Sequence, residues 1–266
     1  MVSGRPLRGA LCLTAGLAAW HIGPAATWLP GVRAALPALG GAGDPRHVAL
    51  TFDDGPDPRS ARDFLRTLER LDVHATFFLL GSRLHRHPGI GRALMEHGHE
   101  LAVHGWEHER PWLPRLRRDI RDVARAVETV HRVGGRRPLW YRPPYGILTG
   151  GRWEAARRSG LRPVLWTAWG RDWTPWARPD TVLAELGASL RGGGTVLLHD
   201  SDRMSAEGSW RAALGALPDL VAACRAAGLT VGPLAEHGRA GPSLRPPSPG
   251  RGDAARPVQL RGPAPR

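Results

Sequence analysis

Six residues of this chain carry acid, base or cationic side chains and fall where an extended run gives way to a loop: Asp53, Asp54, His104, Arg142, Asp172 and His199. Asp53 and Asp54 follow a short apolar run and precede the turn-forming pair Gly55 and Pro56. Paired carboxylates can divide two tasks, one holding an ion while the other takes a proton. Alternate side chains of an extended chain point to opposite faces, which would separate those tasks. The same composition also suits a capped turn with no chemistry. His104 and His108 stand four apart in His-Gly-Trp-Glu-His. On a helical turn that spacing puts both imidazoles on one side, where they can share an ion. A carboxylate would complete a His-His-Asp set with positions left open for water and substrate. His97 and His99 read as ordinary surface histidines near a helix end. The two cysteines, Cys12 and Cys224, are too few for a disulfide scaffold or a four-thiolate zinc site, so His and carboxylates must hold any metal.

These residues need a scaffold that gathers strand ends. Strand-like runs at residues 47–52, 73–80, 100–104, 139–142, 162–168, 194–199 and 229–233 alternate with helical runs at 59–71, 89–97, 115–130, 152–159, 181–190 and 210–227. The third helical run, for example, sets Leu116, Ile120, Val123, Val127 and Val130 on one face. Pro218 predicts a kink in the last one. Alternation of this kind implies a parallel sheet wrapped by helices. Seven or so βα units in about 190 residues suit a closed barrel better than an open sheet. The expected fold class is therefore α/β, a distorted barrel of seven to eight βα units. In such barrels active sites are built at the C-terminal ends of the strands, and that is where the six residues lie.

With 42% hydrophobic and 23% charged residues in 266, the chain can bury a core; global disorder and a polytopic membrane protein are excluded. The net charge of +13 comes from Arg alone, since there is no Lys. Residues 1–46 hold four Arg against one Asp and residues 238–266 six Arg against one Asp, which leaves the middle near balance with 27 Arg and 22 acids. No basic face is implied, so nucleic acid is not an expected partner. Weak attraction to an anionic surface remains open.

Three segments follow: residues 1–46 as an apolar segment with a Gly/Pro/Ala linker at 31–46, a domain at 47–237, and a Pro/Gly/Arg-rich disordered tail at 238–266. After Arg5 and Arg8 no charge occurs until Arg33. Residues 9–32 are read as an export signal or membrane anchor, which places the protein outside the cytoplasm, secreted or membrane-associated. The alternative is a helix packed on the domain. Nothing in the chain sets its oligomeric state.

Five strings together resemble the motifs of the polysaccharide deacetylase family, also called the NodB homology domain or carbohydrate esterase 4 group. Thr51-Phe52-Asp53-Asp54-Gly55-Pro56 resembles the first motif, and His104 to His108 the second, His-Ser/Thr-x-x-His. Arg142-Pro143-Pro144-Tyr145-Gly146 resembles the third. Asp172-Trp173 is similar to the end of the fourth, Asp-x-x-Asp-Trp, and Leu197-Leu198-His199 to the fifth, Leu-x-His. They stand in family order across residues 47–236.

The resemblance implies a distorted βα barrel and a metal-dependent hydrolase that removes acetyl groups from amino sugars. It implies that Asp54, His104 and His108 hold a divalent ion, zinc first, with cobalt or manganese as alternatives. Asp53 would be the general base, oriented by Arg142, and His199 the general acid. The Tyr145 N–H would donate to the oxyanion, and Leu197 and Trp173 would wall the acetyl pocket. Pro144 of the third motif is placed with that pocket.

The sequence departs from the pattern twice. Gly105 replaces the Ser or Thr that would brace the histidine loop. Trp169 replaces the first Asp of the fourth motif, expected to tune His199, so that either Asp172 takes that role or it goes unfilled. Among the 11 tryptophans, Trp106 and Trp173 are candidates for stacking on sugar rings, against the alternative of packing under the barrel rim. The expected substrate is a GlcNAc-containing glycan such as peptidoglycan or a chitin oligomer, with acetate released. The alternatives are O-deacetylation, as of acetylxylan, and a catalytically weak carbohydrate-binding relative.

Overall fold

The computed structural model describes residues 5–237 and Val258. Its strands are β1 His47–Asp53, β2 Thr76–Leu80, β3 Glu100–Gly105, β4 Trp140–Tyr141, β5 Arg162–Pro163, β6 Ala168–Trp169, β7 Thr195–His199 and β8 Thr230–Gly232. All pairings are parallel, in the order β5-β4-β3-β2-β1-β7-β6. Ala49 faces Thr195 on one edge of β1 and Gly232 on the other, so β8 continues the edge that β2 occupies further along. The helices are α1 Arg5–Ile22, α2 Pro30–Ala34, α3 Pro37–Gly40, α4 Ala61–Leu71, α5 Gly81–Arg86, α6 Pro88–Glu96, α7 Leu116–Gly134, α8 Gly150–Arg158, α9 Pro179–Ser189 and α10 Trp210–Ala226. Helix α10 runs unbroken past Pro218. The expected α/β class and distorted βα barrel are thus what the chain forms, with the sheet curled so that its ends approach each other.

A single segment spans the opening between those ends. Residues 162–168, expected as one strand, instead divide into β5 and β6 at opposite edges of the sheet. Val164 N–H still donates to Tyr141 at 2.9 Å, and Thr167 N–H already donates to Thr195 at 3.0 Å. Between them Leu165 N–H donates to the Leu39 carbonyl at 2.7 Å. Short-range patterning cannot show that one apolar run serves two edges.

Strand period places the chemistry. Val48, Leu50 and Phe52 of β1 pack outward with Phe77, Leu79, Val103, Val196 and Leu198 in the main core under the helices. The alternate positions Ala49, Phe78 and Ala102 form a smaller cluster inside the barrel. The same alternation turns Thr51, Asp53, His104, Leu197 and His199 inward.

The stretch before β1 is built into the domain rather than being the linker its composition predicts. The Gly41 carbonyl accepts from Thr195 Oγ1 at 2.6 Å, and Gly43 N–H donates to Gly193 at 2.9 Å. In α1, His21 Nε2 lies 3.0 Å from the Pro111 carbonyl. Among the described residues no helix is long and apolar enough to cross a membrane. Apart from Val258, the expected tail lies outside the described residues; Val258 is buried and its N–H donates to the Leu190 carbonyl at 3.3 Å.

Candidate active site

Of these inward residues, Asp53, His104, Leu197 and His199 meet in a cleft of about 250 Å³ at the C-terminal edge of the sheet. Asp53 ends β1 in register with His199 of β7. The adjacent Asp54 has a left-handed backbone, φ 77°. That turn cancels the strand alternation, so both carboxylates line the same cleft instead of facing opposite ways.

Asp54 Oδ1 lies 3.3 Å from His104 Nε2 and 3.3 Å from His108 Nε2. The oxygen is buried and accepts no hydrogen bond among the described residues. Two ligand atoms held about 2.05 Å from one ion at a tetrahedral angle lie about 3.3 Å apart, so the three atoms fit a divalent metal. His104 Nδ1 is 2.8 Å from the Arg142 carbonyl, which fixes Nδ1 as the donor and leaves the Nε2 lone pair for the ion. Burial, then its two histidine neighbours, outweigh the attraction of Asp54 and hold His108 down at about 4, neutral as a ligand must be. Burial alone would raise the Asp54 carboxyl; its contact with His104 and its other histidine surroundings, the cationic His199 among them, overcome this and keep it below the usual carboxylate range. The two histidines do not meet on a helical turn, as their spacing implied. They meet because the chain leaves β3 at Gly105 with φ 111°, a conformation that favours glycine.

On one flank of this trio sits Asp53. Arg142 Nη1 donates to Asp53 Oδ1 at 2.7 Å and to Thr51 Oγ1 at 2.8 Å, while Nη2 donates to the Leu165 carbonyl at 2.7 Å. The arginine is wholly buried. On the other flank His199 Nδ1 is 2.9 Å from Asp172 Oδ1, and His199 N–H donates to Asp172 Oδ2 at 2.6 Å. Burial opposes a charge on His199, but Asp172, helped by Asp54 and Asp53, raises its pKa to about 10. A cation beside a carboxylate orients a proton acceptor; a carboxylate beside an imidazole makes a proton donor. At the near edge Tyr145 has φ 61°, and the peptide before it is pinned by Arg152 Nη1, which donates to Pro144 at 3.0 Å.

The sequence model of the family described as Polysaccharide deacetylase matches residues 40–164. A Bacillus cereus peptidoglycan-N-acetylglucosamine deacetylase is 32% identical over 158 residues, 58% of this chain and 72% of that protein. The chain belongs to the polysaccharide deacetylase family. The Bacillus cereus relative is named as a deacetylase of an N-acetylated sugar, a hydrolysis of a carbon–nitrogen bond. The peptidoglycan-N-acetylmuramic acid deacetylase PdaC of Bacillus subtilis is also 32% identical, over 60% of this chain; the chain spans only 33% of that relative's length. Among solved structures, the Bc1960 peptidoglycan N-acetylglucosamine deacetylase superposes with a TM-score of 0.67 at 26% identity, covering 74% of this chain and 91% of the other.

Against the family pattern, the two departures have distinct outcomes. Asp172 fills the partner role for His199 that Trp169 vacates. The histidine loop, lacking a hydroxyl at Gly105, is tied through its backbone carbonyls: Ser82 N–H donates to the Trp106 carbonyl at 3.0 Å, and Arg152 Nη2 donates to the Glu109 carbonyl. Leu197 and Trp173 line the cleft as expected. Trp106 and Pro144 do not; they border a neighbouring depression, and Trp106 is covered by the Arg125 guanidinium 3.6 Å from its ring centre. A side chain beyond its strand's end has left the strand's direction, so its place in the motif did not give its facing.

Sequence reasoning missed Thr51, Arg152, Met204 and Trp28. Thr51 was findable, since it lies two residues before Asp53 on one strand face. Arg152 had no signal in an arginine-rich chain. Trp28 was hidden by the reading of its segment as an anchor.

Proposed function

We propose that the protein hydrolyses N-acetyl groups from a GlcNAc-containing glycan, peptidoglycan first, and releases acetate. The observation that supports it most is the placement of a three-ligand ion site between an Arg-held carboxylate and an Asp-held imidazole. Amide hydrolysis needs a proton removed on one side of the carbonyl and one delivered on the other. A bound divalent ion, zinc in our reading, supplies Lewis-acid polarisation of the acetyl carbonyl and acidifies the attacking water. Asp53, with Oδ1 spent on Arg142, takes the water's proton. The Tyr145 N–H donates to the oxyanion as it forms. His199, charged through Asp172, gives its proton to the departing amine nitrogen. The sugar leaves as a free amine, and acetate carries the oxygen of the attacking water.

We place the activity outside the cytoplasm, where such polymers lie. Support for surface association with a membrane comes from the uncovered Leu17, Trp20, Ile22 and Leu29 of the N-terminal segment.

The test is acetate release from N-acetylglucosamine oligomers, peptidoglycan and acetylated xylan by metal-stripped protein with zinc or cobalt restored. Metal-dependent release from the first two, lost in Asp53→Asn, is the expected result. Release from acetylated xylan alone would replace N- with O-deacetylation. No release with metal bound would leave a carbohydrate-binding relative.

A further inference from the structure

The segment before the barrel delivers an aromatic residue to the cleft. Trp28 ends the 3-10 turn Gly23–Trp28 and borders the same space as Asp53, His108 and His199. It is carried there because its neighbours are bonded to the segment that spans the barrel opening. Arg33 Nη1 donates to the Trp166 carbonyl at 3.3 Å, with the guanidinium 5.0 Å from the Trp166 ring centre. Leu39 receives the Leu165 N–H at the same opening. The indole N–H of Trp28 donates to the Tyr145 carbonyl at 3.1 Å.

The tryptophans of the cleft form two surfaces that meet at a corner. Trp169 and Trp173 stack, with ring centres 4.4 Å apart and planes at 22°. Trp28 stands across them, 5.9 Å from Trp169 at 75° and 6.4 Å from Trp166 at 89°. Held by one hydrogen bond and two ring contacts, Trp28 still keeps 39% of its surface open. A tethered indole that stays accessible is a preorganised apolar surface, and ordering it on binding costs little. Trp169, which replaces an acid in the family pattern, extends this aromatic surface, its indole N–H buried beneath it. A pyranose ring presents an apolar C–H face, which matches a flat accessible indole.

We propose that Trp28 is a specificity-determining residue: its indole receives the sugar ring next to the one bearing the reacting acetyl group, so that the cleft takes an oligomer in preference to a single sugar. The inference rests on the reading of the cleft as a glycan deacetylase site. The N-terminal segment is then part of the substrate site and sets the length of glycan recognised.

The test is calorimetric binding of an N-acetylglucosamine tetramer and of single N-acetylglucosamine to the full chain with zinc added, in an Asp53→Asn background that prevents turnover. Trp28 is compared with Trp28→Ala and Trp28→Phe. Loss of the indole weakens the tetramer about tenfold, the size of one aromatic stacking contact, and leaves the single sugar unchanged. Phenylalanine, which keeps an apolar face, holds the tetramer within about threefold. Equal weakening of tetramer and single sugar would overturn the proposal, because Trp28 would then act through the Tyr145 loop. So would an unchanged Kd, or tighter tetramer binding by Trp28→Ala, the mark of a cover over the cleft. No tetramer binding by any form would exclude a glycan as its occupant. Failure of the deacetylase reading registers separately, as no acetate release from the unsubstituted zinc-loaded chain that nevertheless binds the tetramer.

Discussion

The two flanks of the cleft are built from the same kind of ion pair with the signs exchanged. On one, the carboxylate Asp53 works and the cation Arg142 holds it; on the other, the imidazole His199 works and the carboxylate Asp172 holds it. Arg142 spreads its donors over Asp53, Thr51 and the carbonyls of Val164 and Leu165, so one wholly buried side chain ties β1 to the segment that spans the barrel opening. Asp172 spends both oxygens on the ring and backbone of His199 alone. The Arg142 flank therefore carries fold and chemistry together, whereas the Asp172 flank is devoted to one proton. An always-charged guanidinium orients a base without entering the proton exchange. A carboxylate raises the proton affinity of the imidazole beside it, as a donor requires.

The largest effect belongs to the working carboxylate. Asp53→Asn lowers kcat by about a thousandfold or more while metal content measured by atomic absorption stays unchanged. Loss of metal in that variant would break the division of labour between Asp53 and Asp54. Next, Arg142→Met removes the partner from a buried charge and costs about 3–5 kcal/mol of stability, read by urea denaturation. Asp172→Asn keeps the side chain's shape but loses the charge and one of the two acceptor oxygens, and its stability loss is smaller. Similar losses on both flanks would erase the contrast.

Asp172→Asn instead moves a pH limb. His199, raised to about 10, stays protonated across the neutral range in the unsubstituted protein. Without the Asp172 charge it loses its proton at lower pH, so the alkaline limb of kcat shifts downward. An unmoved limb in the pH–rate profile would remove His199 as the donor. Between the flanks, added zinc raises the melting temperature by mass action, and His104→Ala abolishes the rise where Asp172→Asn does not.

The smallest effect lies away from the cleft. His99, read from sequence as a surface residue, is buried, as is His47, and burial lowers each to about 4 from an ordinary value of 6.5. Their folded pKa lies below the unfolded one, so between about pH 6.5 and 4 the unfolded chain binds protons first and stability falls with pH. Melting curves across that window check it; a flat profile would contradict the burial.

Much of the site was legible because its parts are local. Asp53-Asp54, His104 to His108, Arg142, Asp172 and His199 each sit at a strand end, and an alternating strand–helix pattern places strand ends on one rim. The periodicity of β1 also carries Thr51 to the face of Asp53. Less legible were the details set by single backbone angles. Positive φ at Asp54 and Gly105 gathered ligands that strand alternation and helical spacing would have arranged otherwise. Local composition likewise misread the Gly/Pro/Ala stretch before β1, because its part in the domain is played by backbone carbonyls, which every residue has.

What the sequence determined by itself is the chemistry: which residue types are present, their order, and the strand ends that carry them. The tertiary structure alone decided which of them share a space. It brought residues 162–169 across the barrel opening, paired Asp172 with His199, set Arg142 between Thr51 and Asp53, and laid Trp28 beside the cleft. Each of these joins residues distant in the chain through packing and hydrogen bonds, and such contacts leave no periodic mark in the residues that make them.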